Sequence, residues 1–158
     1  MVVPGLWLDF SPIILRKLQV GIAEQELRAQ LDQTAEHLAE TERQGLRTVV
    51  IVDVSETVRA SKEERKIETE WRTRHEAMLK RASLGAAVLV PNQFVRGALT
   101  AILWLQPPPN GHIVTLRLRE AVDWAVARLT SHGVPVPDRV VHDRASVLRE
   151  MRALLGRS

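Results

Sequence analysis

The chain of 158 residues has no cysteine, so no disulfide framework and no thiolate metal site can be drawn from it. No apolar run approaches the ~18 residues that a transmembrane helix needs, which excludes a membrane span. The start, Met1-Val2-Val3-Pro4-Gly5-Leu6, has neither a basic segment nor a small-residue cleavage site, and a cytosolic protein is expected. Neither G-x-G-x-x-G nor G-x-x-x-x-G-K occurs, which removes the two common glycine-loop routes to nucleotide binding. No serine sits in a G-x-S-x-G elbow. His37, His75, His112, His132 and His142 are scattered without zinc-ligand spacing. No internal repeat or low-complexity segment is visible. No catalytic residue, metal or cofactor is expected.

What is present suits a globular domain: 45% of residues are hydrophobic and 26% charged. Lys and Arg number 22 against 19 Asp and Glu, a balance that permits weak attraction to acidic partners. The axis of the chain is Arg47-Thr48-Val49-Val50-Ile51-Val52-Asp53-Val54-Ser55. Successive branched apolar residues ending in Asp read as a strand buried on both faces, hence central in a sheet. Its carboxyl end opens where α/β sheets place ligands or partners, so Asp53 and Ser55 are candidate site residues.

Ile13 to Val20 reads as an edge or near-edge strand with Pro12 confined to its beginning, preceded by Leu6 to Phe10. From Ala23 to Gln44, Leu27, Leu31, Ala35 and Leu38 recur at helical spacing, and Gly45 stops the helix. Ser61-Lys62-Glu63-Glu64 matches a capping box and opens a charged helix that buries Ile67, Trp71 and Met78. Its four-apart pairs Glu68 with Arg72, Glu70 with Arg74 and Glu76 with Lys80 belong to the wet face. Leu84 to Val90 is a strand closed by Pro91, and Asn92 caps a helix carrying Phe94, Val95, Ala98, Leu99, Ile102 and Leu103. That apolarity predicts a strongly buried helix. His112 to Leu116 is the last strand, and a helix from about Arg119 to Ser131 turns Ala121, Val122, Ala125 and Leu129 inward. Residues 134–138 form a stiff linker to one short amphipathic helix carrying Leu148, Met151, Leu154 and Leu155. Self-docking of this helix is expected, with a homodimer as the alternative. Trp7, Trp71, Trp104 and Trp124 read as core or core-rim anchors, with Trp104 beside Pro107 keeping the alternative of a partly exposed contact residue.

The expected class is α/β: a single mixed, largely parallel sheet with packed helices over 1–133, then a linker and C-terminal helix over 134–158. The order of elements, with Val50-Ile51-Val52-Asp53, Val88-Leu89-Val90-Pro91, Arg96-Gly97-Ala98-Leu99-Thr100 and Leu118-Arg119-Glu120-Ala121-Val122-Asp123-Trp124, resembles the STAS fold and within it the bacterial stage II sporulation protein AA-like group. The resemblance implies a non-enzymatic regulatory or scaffolding module with a protein partner, and a switch serine at the start of the helix after the central strand. Here the family's Asp-Ser-Ser-Gly is replaced by Arg59-Ala60-Ser61-Lys62-Glu63, so only Ser61 occupies the comparable place. Ser61 has two readings, an N-cap or a phosphosite. Asp53, Ser55, Arg59, Ser61 and Lys62 together form the candidate partner-binding or switch surface. The alternative function is a small-ligand or lipid-binding domain with a pocket beneath the helix from Phe94 to Leu105. Nucleic-acid binding is not expected, because Arg139, Arg144, Arg149, Arg152 and Arg157 are interspersed with acids and lack stacking aromatics.

Overall fold

Alternation along the strands sorts the apolar residues into two cores. The computed structural model describes residues 3–19, 21–56, 61–105 and 107–157. Strands β1 (Leu6–Trp7), β2 (Ile13–Lys17), β3 (Thr48–Asp53), β4 (Ser83–Leu89) and β5 (His112–Thr115) form one sheet in that order. β1 is antiparallel to β2, and every other pairing is parallel. The α/β class is therefore as the periodicities predict, with β3 in the middle. β2 ends at Lys17, short of the expected Val20, which lies outside the described residues.

Each parallel crossover steps one strand in the same direction, and the right-handed rule then sends its helices to a common face. These are α1 (Glu24–Arg43), the pair α2 (Lys62–Arg74) and α3 (Glu76–Ala82), and α4 (Gln93–Leu105). Ile14 of β2 meets Leu27, Leu31 and Leu38 of α1 and Ile67 and Trp71 of α2 in one cluster. Ile13, Leu15, Val49, Ile51, Leu84, Ala87 and Leu89 point the other way. They are covered by α5 (Leu118–Ser131) and by residues of α6 (Asp138–His142) and α7 (Arg144–Leu155). Ala121, Val122, Ala125 and Leu129 of α5 face inward as their spacing predicts.

The C-terminal segment is two helices where one was expected, broken at Asp143. Val140, Val147, Leu148, Met151 and Leu155 are buried in the same cluster as the strands, so the apolar stripe docks on its own sheet. The charged helix after Ser61 is also interrupted, at His75, whose ring lies 5.1 Å from that of Trp71. Of its three expected four-apart pairs, Glu76 and Lys80 meet at 3.2 Å, but Glu68 turns inward to Arg16. Arg16 sits on the helix-covered face of β2 among apolar neighbours, and a buried guanidinium takes the best-placed carboxylate and amide, here Glu68 and Gln30.

One local feature aligns the last strands. Between Thr48 and Val50 of β3, β4 advances from Ser83 to Ala86, so β4 holds one extra residue at a bulge. Gly85 sits there with φ +119°, and a Cβ would stand 2.4 Å from the Gly111 carbonyl oxygen and 3.0 Å from Trp124. Glycine is required for that approach.

Trp71 is buried, and its indole Nε1 has no hydrogen-bond partner among the described residues. Trp71→Ala is expected to cost about 3–5 kcal/mol in urea unfolding. Trp71→Phe should cost far less, because the N–H it removes is unsatisfied. Equal losses in both variants would show that the indole dipole, and not its volume, matters.

Candidate functional site

Asp53 ends β3 and is 1% exposed. A buried carboxylate needs donors, and three reach it. The Ser55 amide donates to Oδ1 at 2.9 Å, the Ser55 hydroxyl donates to the same atom, and Arg157 Nη1 lies 3.3 Å away. Arg157 also donates to Ser55 Oγ and to the Leu116 carbonyl, each at 2.9 Å. The described donors come from the residue two positions on and from the segment after α7.

The same segment closes the neighbouring strand end. Lys17 Nζ, at the end of β2, donates to the Leu155 carbonyl at 2.8 Å and lies 3.5 Å from Glu56. Three elements thus meet at the carboxyl edge: β2 through Lys17, β3 through Asp53 and the end of α7 through Leu155 and Arg157. The edge expected to stand open at Asp53 is covered by the chain's own later residues. Ser55 is half-buried within this cluster.

Ser61 and Lys62 are both exposed and separate from that cluster. Ser61 is the N-cap of α2, its Oγ accepting the Glu64 amide at 3.1 Å. Arg59 lies outside the described residues. The candidate residues therefore divide into a buried pair, Asp53 and Ser55, and an exposed pair, Ser61 and Lys62.

The larger departure is α4. Asn92 caps it as expected, its Oδ1 accepting the Val95 amide at 2.9 Å. It is nonetheless not a buried helix: none of its residues is fully buried. Val95, Leu99 and Leu103, spaced four apart, are half-buried, while Phe94 is 84% exposed, Ile102 59%, Trp104 83% and Leu105 84%. The helix carries apolar side chains around most of its circumference but packs on β5 at the margin of the sheet, so one stripe is used and the rest faces water. Trp104 is no core anchor. The sequence signal that could have exposed this is polarity: Gln93, Arg96 and Thr100 are the polar side chains in thirteen residues, and a sheet edge cannot cover a helix on every side.

Two shallow depressions lie elsewhere. One of about 90 Å³ sits between α1 and α2, lined by Arg28, Leu31, Asp32, Ile67, Glu70, Trp71 and Arg74, and the other is an open surface along the start of α2. Burial lowers the pKa of His37, which pairs with Ser11 Oγ at 3.0 Å, and Glu40 partly opposes that shift. Among the described residues no group of three or more Asp, Glu and His could hold a metal ion, and no helix is long and apolar enough to cross a membrane. Of the tail arginines, Arg139 pairs with Glu150 at 2.9 Å, Arg144 pairs with Asp123 and Arg157 with Asp53.

Asp53→Ala and Arg157→Ala are each expected to cost about 3 kcal/mol, the low end for a broken buried pair because Arg157 can turn to solvent. The double variant should lose much less than the two costs added, since each single change strands its partner. Urea unfolding of the four proteins checks this, and strict additivity would show that Asp53 and Arg157 do not act as a pair.

Comparison with family models, with curated proteins and with solved structures finds no match to this chain.

Proposed function

We propose that this chain is a non-enzymatic regulatory or scaffolding module that works by docking, with the exposed face of α4 as its contact surface. The observation that carries the reading is the exposure of Phe94, Ile102, Trp104 and Leu105 on one helix. Monomeric proteins seldom keep a contiguous apolar patch of this kind unless something covers it. Phe and Trp are also the side chains that anchor interfaces most strongly. The resemblance of the element order to the STAS fold supports the same class of function. Asp53, a buried carboxylate at the strand ends where ligands commonly sit, is held by Ser55 and Arg157 and thus acts as part of the scaffold.

Ser61 is the switch position in this proposal. It is exposed at the start of α2, on the carboxyl edge of the sheet from which α4 also starts. Phosphate there would add about −1.5 to −2 charges at a helix amino terminus, favoured by the dipole, Lys62 and Arg65, and opposed by Glu63 and Glu64.

Fractionation of native cell extract tests the docking reading. Wild-type protein should migrate with larger material, whereas Phe94→Gln/Trp104→Gln/Leu105→Gln should migrate as the free 17.8 kDa chain with little change in thermal stability. A wild-type chain that migrates alone in extract that retains its membranes would remove the docking function. Ser61→Asp should shift this distribution, while Ser61→Ala should leave it in place and cost about 0.5–2 kcal/mol of stability as a lost cap. Identical distributions in both variants would discard the switch.

A further inference from the structure

We infer that the apolar face of α4 docks on an anionic lipid surface, an assignment that rests on α4 being the docking element. Charge selects this occupant first. Five of the 22 Lys and Arg, and none of the 19 Asp and Glu, lie between residues 77 and 119, so the remainder of the chain carries 17 cations against 19 acids. Lys80 and Arg81 are tied to Glu76 and Glu42, and Arg117 lies 4.0 Å from Glu120. Arg96 in the first turns of α4 and Arg119 at the start of α5 are exposed and make no ion pair among the described residues. Both belong to the carboxyl edge of the sheet, where α4 begins and β5 passes into α5. Arg96 on the apolar helix itself, with Arg119 at the same edge of the sheet on α5, gives acidic headgroups cations to meet.

Hydrogen bonding points the same way. Protein interfaces carry about ten direct hydrogen bonds, and the protruding side chains of α4 offer almost none. Thr100 already donates its hydroxyl to the Arg96 carbonyl at 2.6 Å. Acyl chains need no such bonds. The shape is also that of an inserting surface: Phe94, Ile102, Trp104 and Leu105 stand out from a helix without buried residues. A helix of thirteen residues is about 20 Å long, too short to span, and suits lying in the interface plane with its apolar side about 5–10 Å deep. Trp104, near the carboxyl end of the helix, belongs to the residue type enriched at that boundary. A second copy of the chain fits less well, because its α4 would bring no acid to Arg96 or Arg119.

Co-sedimentation with vesicles of phosphatidylcholine, alone or with about a third phosphatidylglycerol, tests the inference. Wild-type protein should bind the phosphatidylglycerol vesicles, with affinity falling roughly tenfold or more in half-molar salt. Binding should shift tryptophan emission to the blue in wild type but not in Trp104→Phe, which keeps the apolar face. Arg96→Gln/Arg119→Gln should weaken binding roughly tenfold at unchanged thermal stability. Phe94→Gln/Trp104→Gln/Leu105→Gln should abolish it, and Trp104→Gln alone should weaken it about tenfold should the triple variant fold poorly. Equal binding to both vesicle types overturns the anionic assignment. No vesicle binding by a wild-type chain that still migrates with larger material in extract overturns the lipid assignment and leaves a protein partner on the same helix. Absence of both removes the docking reading with it.

Discussion

A parallel ladder four strands wide must be buried on both faces, and that constraint organises everything else in the molecule. Crossover helices cover one face as a by-product of connecting the strands. The other face has to be covered by segments that follow the last strand, which is why α5 and then α6 and α7 fold back over Ile13, Leu15, Ile51 and Leu89. The C-terminal helices are structural for that reason. α4 is where the scheme runs out: it connects the last two strands and sits over the sheet's margin, where β5 is the edge strand.

The polar side chains at the carboxyl edge make this arrangement specific. Apolar contact alone would let α7 slide along the sheet, since burial has no direction. Lys17 on the Leu155 carbonyl and Arg157 on Asp53 fix where the helix ends. On the opposite face Arg16 does the same for α2 through Glu68, with Gln30 of α1 as its third member. Arg16 and Lys17 of β2 and Asp53 of β3 thus each register a helix, through contacts that are long-range in sequence.

Periodicity made the strands, α1, α5 and both caps legible, because those elements bury a single stripe and the stripe is visible as spacing. Ser61 and Asn92 were legible as caps for the same local reason. Three features were hidden. Glu68 offered a four-apart partner in Arg72, and nothing local shows that Arg16, 52 residues away, is the stronger claimant. Arg157 looked like one more arginine of a basic tail. α4 misled most, since an apolar helix reads as buried, yet burial depends on how many neighbours the topology supplies, and at the margin it supplies few. The candidate site followed the same division: residue types and caps were readable, and the covering of Asp53 by a segment over one hundred positions later was not.

The Lys17 to Leu155 contact also sets an order of events during synthesis. The two residues are 138 positions apart, and at about 5–20 residues per second a ribosome adds the second roughly 7–28 s after the first. Until α6 and α7 follow α5, the second face of the sheet is only partly covered, leaving some of its apolar surface open to water or to whatever binds nascent apolar strands. Completion therefore comes as a single late step, when residues 147–157 arrive and close core and carboxyl edge together. A chain stalled before that point would hold its strands with one side covered by α5 alone, the state most exposed to aggregation or to chaperone capture.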